Sequence, residues 1–515
     1  MPVISLTSTL DILVLVASFA ALLVVRDYQM RRGLPYPPGP RPLPLIGNLL
    51  DIPKEFSWLS YTQLSRTHGD VLSFHVFGKV IVVLNSFKAS KDLLERRGDI
   101  YSDRPVVPSV EMMKWEWIVT FSRYTESWRL ARKLLDRSLR PAVIAAYRPL
   151  LQTKAHVLLT QLLANPDELE AHLYHMTGSL MLAMGYGYEV NGINDPKVNA
   201  SKNLAKLVGE TALPGAVLVN DLPFLRYIPE WLPWFSYKPL ARYGYDIGQE
   251  VLHRPMEFVR ETILNGSAQP SLALDNLQET EKLEEPGREM AEEVIARALG
   301  SLDLAGTETT ASSLMSFFVA ALLRPEVQTI AQEELDAVTR RERLPTIEDR
   351  SRLPFVDAVC KEVTRWRPVV PLGVPHATTE DDVYEGFFIP KGAIVMVNQW
   401  AILHDPVMYP EPDSFKPERF INPDGSLRED PVLTTIFGFG KRICPGRHLA
   451  DATFFIVVAS FLSVFNIKKG NGTDRGSDTY PFTGSGVSVP CPFTYTIIPR
   501  DRRAEEFIVG NAQER

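Results

Sequence analysis

The sequence predicts a mainly α-helical protein with smaller β-sheets (α+β), preceded by one N-terminal transmembrane helix. Three observations carry this reading: an apolar run at 4–25, long helical patterns through the middle of the chain, and alternating apolar runs confined to its flanks. At 515 residues the chain allows one large domain or two closely packed lobes. A formal net charge of -7 with no dense basic surface argues against a nucleic-acid binder.

The first element, "ISLTSTLDILVLVASFAALLVV" from Ile4 to Val25, is interrupted only by Asp11 and a few hydroxyl residues. No lysine or arginine precedes it, whereas Arg26, Arg31 and Arg32 follow, which places the body of the chain on the cytoplasmic side of a membrane. A cleaved secretory signal is the alternative, but its charged start and small-residue cleavage site are missing. With that orientation the glycosylation acceptor patterns at Asn199, Asn265 and Asn471 are expected to stay unmodified. The expected organisation is an anchor at 4–25, a basic and proline-rich hinge at 26–47, a globular domain at 48–505 and a tail at 506–515.

Within the hinge, "LPYPPGPRPLPLIGNLL" holds six prolines that forbid helix and favour stiff extended backbone. The runs "DVLSFHVFG" and "KVIVVLNS" read as a hairpin, and from there to about Arg350 the pattern is mainly helical. Among these helices "LPFLRYIPEWLPWF", Leu222 to Phe235, sets Trp231 and Trp234 among prolines, which suits either core packing or a patch dipping into a membrane interface. The stretch "DNLQETEKLEEPGREM" reads as a solvated acidic loop, and after Pro286 and Gly287 a helix runs to about Leu323. Beyond Asp381, "DVYEGFFIPKGAIVMVNQW" and "SVPCPFTYTIIP" read as strands.

Cys360, Cys444 and Cys491 are odd in number and lack C-x-x-C spacing, so no disulfide framework, iron–sulfur site or structural zinc is indicated. Cys444 sits in "FGFGKRICPGRHLA", after a glycine pair and before Pro445, which is favoured as a first helical residue. A helix N-terminus lowers a thiol's pKa, so the sulfur is expected to be a thiolate. From these residues a nucleophile with His448 as base, a metal ligand and an inert core cysteine all stay open. A dinucleotide loop does not, since Ile443 stands where that motif needs glycine.

Phe437 to Gly446 match without a gap the F-x-x-G-x-R-x-C-x-G signature, so the chain resembles the cytochrome P450 family of haem-thiolate monooxygenases and is expected to share its fold. The resemblance implies Cys444 as axial ligand of the iron of haem b, with Phe437, Gly438 and Gly446 in the loop under the cofactor. It is carried by further motifs in the family's order. "SWRLARKL" resembles its W-x-x-x-R pair, implying Trp128 and Arg132 at a propionate, with Arg442 and His376 as further partners. "KEVTRWRP" and "FKPERF" resemble its Glu-Arg-Arg lock, implying a structural role for Glu362, Arg365 and Arg419. "LDLAGTETT" is similar to its acid–threonine motif on the oxygen side of the haem, implying that Glu308 and Thr309 relay protons beside a helix opened at Gly306.

By the same implication, electrons come from NADPH through a cytochrome P450 reductase, with cytochrome b5 as an alternative donor, and one oxygen atom enters an apolar substrate. The general look resembles fungal microsomal members acting on secondary metabolites such as terpenoids or on polycyclic aromatic and steroid-like xenobiotics, at the endoplasmic reticulum membrane. Substrate walls are expected at 101–119, 207–218, 298–305, 369–374 and 484–489. Lys441, Arg442 and Arg447 are expected to offer an acidic reductase a docking face. A haem-thiolate isomerase or dehydratase would lack the acid–threonine pair, and a haem sensor or carrier would need no such helix.

Overall fold

Proline has no N–H, so the prolines of the hinge can offer a neighbouring strand only acceptors. It does so: Ser73 donates its backbone N–H to the Pro38 carbonyl at 2.9 Å and its hydroxyl to Pro37 at 2.5 Å. A side chain at Gly39 would come within 2.1 Å of the Ser73 oxygen, which is why glycine stands there. The computed structural model describes residues 29, 31–213, 215–232, 236–470 and 480–513; the apolar run at 4–25, Trp234 and Asn471 lie outside them.

The expected hairpin is β1 (Val71–Val76) and β2 (Lys79–Leu84), antiparallel with Val76 opposite Lys79. Its two-residue turn, Phe77 and Gly78, has φ of 47° and 80°, the paired positive values that suit the twist of a tight hairpin. The long middle section supplies α1 (Glu126–Ser138), α2 (Leu169–Tyr186), α3 (Pro196–Thr211), α4 (Gly287–Leu323) and α5 (Pro354–Trp366). Then come β3 (His376–Ala377) and β4 (Ile394–Val397), which join the hairpin in a sheet of order β1-β2-β4-β3, with β2 and β4 parallel. Short two-stranded sheets at Asp382–Tyr384 with Phe387–Ile389, and at Phe465–Lys469 with Tyr495–Pro499, complete the β content among the described residues.

The long helix α4 crosses α1, α2 and α3 and is buried along most of its length, so it has apolar residues on every side. The helix α6 (Arg447–Val464) follows the cysteine loop and packs on α4 and α5. With mean hydropathy 1.4 it has the apolarity and length of a membrane span, but it is 72% buried and belongs to the core.

Three expectations change. The acidic stretch is loop only around 281–286, because its first residues belong to the helix Leu272–Thr280, where Asn276, Leu277 and Thr280 are buried. The helix after Cys444 starts at Arg447 rather than Pro445. The boundary at 505 falls inside α7 (Arg502–Gln513), whose Ala504 and Ile508 are buried and which packs on the helix Arg148–Ala164 and on α6.

Candidate active site

The loop leading to Cys444 is shaped by backbone requirements. Gly438 and Gly440 have φ of 79° and 52°, and a side chain at Gly440 would meet the Leu94 carbonyl oxygen at 2.3 Å. The Cys444 N–H donates to the Phe437 carbonyl at 2.7 Å, which closes the loop. A Cβ at Gly446 would lie 3.8 Å from the Cys444 sulfur, so the glycine leaves the space around it open. Burial pushes the thiol pKa up, and the N–H groups of Gly446 and Arg447 together with the Arg132 and Arg447 charges offset only part of this. The helix terminus alone therefore does not make the sulfur a thiolate, contrary to the sequence reading; a cation bound directly to it would.

Cys444 opens on a cavity of about 520 Å³ whose opposite wall is α4. Ala305, Gly306, Thr309 and Thr310 of α4 line it. A side chain at Gly306 would approach the Met181 sulfur of α2 to 2.3 Å, so this glycine lets the two helices cross closely. Next to it Thr177 of α2 donates to the Thr307 carbonyl at 2.9 Å, and Thr309 donates back to the Ala305 carbonyl at 2.8 Å.

The acid and the alcohol are separated. Thr309 faces the cavity, but Glu308 turns to α2, where its carboxylate accepts from Tyr174 at 2.8 Å; it also accepts from Ser312 of its own helix at 3.5 Å. Neighbouring residues on a helix point about 100° apart, so one of them faces α2 when the other faces the cavity. Burial pushes the Glu308 pKa up, the Tyr174 hydrogen bond opposing it.

Along one side of the cavity lie Arg104, Arg132, Arg442, Trp128 and His376. Arg104, which the sequence reading did not single out, is fully buried; it donates to the carbonyls of Thr120, Val374 and Pro375 at 2.8 Å each. Arg442 donates to Ser102 at 2.7 Å and Ser122 at 2.9 Å, and burial pushes its pKa down to about 9. Both arginines spend their donors on neutral carbonyls. Asp103, the acid nearest to them, is paired with Arg123. Arg132 pairs with Asp136 at 2.9 Å. The Trp128 Nε1 is buried without a hydrogen-bond partner. His376 donates from Nδ1 to the Tyr101 carbonyl at 2.8 Å, and burial together with the Arg104 charge pushes its pKa well down.

Buried cations in excess and an orphaned indole N–H require an anion from outside the chain. These residues, Cys444 on the wall of the chamber and the glycine-bearing loop that leads to it fit a haem: Cys444 would take its iron, while Trp128, Arg104, Arg132 and Arg442 would hold its carboxylates. Behind the cysteine, Glu362 grips Arg365 at 2.7 and 2.9 Å and Arg419 at 3.1 Å, and Arg365 donates to the Leu403 carbonyl at 3.0 Å. The three expected lock residues thus meet in one buried cluster.

Two other expectations shift. Of the expected walls, Val119, Ser301, Leu302, Ala305, Val369, Val370, Gly373 and Val374 line the cavity, whereas 207–218 and 484–489 pack on each other, so that a side chain added at Gly209 would lie 3.9 Å from Val487. Arg442 is buried and Arg447 donates to the Cys444 carbonyl at 3.0 Å, so the expected triad is not an exposed cationic face.

The comparisons agree with this geometry. A family model described as Cytochrome P450 matches residues 37–490. The chain is 39% identical to cytochrome P450 monooxygenase claR of Ampulloclitocybe clavipes over 493 residues, covering 95% of this chain and 90% of that protein. It is 39% identical to cytochrome P450 monooxygenase 208 of Postia placenta over 495 residues (96% and 95%) and 36% identical to tryptamine 4-monooxygenase of Psilocybe cyanescens over 486 residues (92% and 95%). With a cysteine loop, an opposing helix and a buried cationic shelf all inside the matched span, the chain belongs to the cytochrome P450 family and is a monooxygenase of that family.

Proposed function

We propose that this protein is a membrane-anchored haem-thiolate monooxygenase that hydroxylates lipophilic small molecules of fungal secondary metabolism, with electrons from NADPH delivered by cytochrome P450 reductase. The observation that carries it is the placement of Cys444 and Thr309 on the walls of one cavity beside a shelf where Arg104 and Arg442 make no ion pair among the described residues and the Trp128 Nε1 has no partner. When bound, the haem supplies the oxygen activation and the oxidising power. The chain supplies the rest. Cys444 would offer its sulfur, Trp128 and the arginines would hold the carboxylates of the cofactor, and Thr309 keeps a hydroxyl in the chamber. Glu308, protonated more readily than an ordinary carboxyl, stands one residue away as a proton store reached through Tyr174. The largely apolar walls exclude water and favour lipophilic substrates such as terpenoids or aromatic xenobiotics.

A membrane site, at the endoplasmic reticulum with the catalytic domain on the cytoplasmic side, is supported by exposed apolar side chains: Phe224, Tyr227 and Trp231 are 61%, 75% and 76% exposed, and Leu45 and Leu50 94% and 76%. Docking of a reductase, or of cytochrome b5, is supported by Arg129, Lys133 and Arg140, exposed on or just beyond α1, beside a groove of about 330 Å³ lined by Lys441 and Arg447.

The reduced, carbon monoxide-bound spectrum tests the reading. It should show the red-shifted Soret band of thiolate ligation and lose it in Cys444→Ala; a histidine-type band in the wild type overturns it.

A further inference from the structure

Arg367 is a second kind of cation in this cavity. It ends α5, its N–H donating to the Val363 carbonyl at 3.0 Å. Two residues earlier, Arg365 forks onto both oxygens of Glu362. The Arg367 side chain makes one hydrogen bond, from Nη1 to the Trp366 carbonyl at 3.3 Å, and its Nε is buried without a partner. Among the described residues no carboxylate stands within ion-pair distance of it. Aromatic rings hold the guanidinium instead, with the centroids of Trp366, Phe482 and Trp400 at 4.2, 4.9 and 5.2 Å from its carbon. Such a cage fixes the plane of the guanidinium while satisfying none of its N–H groups.

Arg367 lines the large cavity, next to the apolar Pro368, Val369 and Val370. It is separate from the shelf that suits the cofactor. The charges that bear on it are Asp413 and Arg365, whereas Arg104, Arg132 and Arg442 bear on one another. Burial pushes its pKa down to about 10, which Asp413 offsets only in part, so it is still a cation at neutral pH and lacks a close counter-charge.

We propose that Arg367 anchors an ionised carboxylate on an otherwise apolar substrate, a second anion-binding point whose aromatic cage presents the guanidinium edge to the cavity. A carboxylate matches that edge with two parallel hydrogen bonds, while the hydrocarbon lies on the adjoining valines and proline. A protonated amine would be repelled. The inference rests on reading this cavity as the substrate chamber.

The test is calorimetric titration of the purified holoprotein with dodecanoate, its methyl ester and dodecylamine. Dodecanoate should bind most tightly, Arg367→Gln should weaken it by about tenfold or more, and the ester should bind all variants alike. Arg367→Lys, which keeps the charge, should recover part of the loss and so separates charge from packing. Equal dodecanoate affinity in wild type and Arg367→Gln, or a preference for the amine, overturns the anchor while ester binding leaves the chamber standing. A wild type that binds neither acid nor ester overturns the chamber and the anchor together.

Discussion

The Arg442 guanidinium carbon lies 4.0 Å from the centre of the Trp128 ring, whose buried Nε1–H has no partner. The stacked cation holds the indole in place, and the unpaired N–H marks where a carboxylate of the cofactor would be received. Trp128→Phe keeps an aromatic ring beside Arg442 and removes the donor together with the five-membered half of the indole. It should speed transfer of haem to an acceptor apoprotein by about tenfold, the worth of one hydrogen bond to a charged group, with little change in the cysteine-ligated spectrum. An unchanged transfer rate would place the carboxylate elsewhere.

Glu362 and Arg365 are both fully buried, and Glu362 also takes Arg419 and the Lys416 N–H at 2.8 Å. Glu362→Ala would leave Arg365 as an uncompensated interior charge, at a cost of about 3–5 kcal/mol. Thermal melting should show a strongly destabilised protein or none folded, whereas Arg419→Lys, which preserves one charge at the edge of the cluster, should retain the fold.

The cysteine loop, the hairpin and α4 were legible from the sequence because local chemistry decides them: positive φ demands glycine at 438 and 440, alternation marks β1 and β2, and a long apolar run marks α4. Arg104 and Arg367 could not be picked out, since what distinguishes them is the absence of an acid among neighbours brought from distant segments. The direction of Glu308 depended on Tyr174, 134 residues away. The thiol was misjudged because helix-end electrostatics is visible in a sequence and burial is not.

Two glycines should respond differently to the same change. At Gly440 a methyl group meets the Leu94 backbone oxygen at 2.3 Å with φ at 52°, so neither partner can yield. At Gly306 it meets the sulfur of Met181 at the same distance, and a methionine side chain can swing away. Gly440→Ala should therefore abolish haem incorporation, while Gly306→Ala should cost about 1–3 kcal/mol and be relieved by Met181→Ala. Melting temperature and haem content of the two single variants and the double variant decide this.

Asp303 of α4 should make stability fall as pH rises. It is fully buried between helices, accepting from Ser201 of α3 at 2.5 Å and Thr307 at 3.4 Å, with the Tyr186 hydroxyl of α2 near it and, among the described residues, no cation facing it. Burial raises its pKa from 3.8 to about 7. A carboxyl whose folded value is raised favours the folded state fully below its ordinary value, and that contribution is lost progressively until the pH passes the folded value. The wild type should thus lose on the order of 1–4 kcal/mol between about pH 4 and pH 7 through this one group. Asp303→Asn keeps the size and one acceptor while removing the charge. Relative to its value near pH 4, the difference in melting temperature between the two proteins should shift steadily in the variant's favour up to about pH 7; a difference that does not vary with pH would show that Asp303 is ionised throughout.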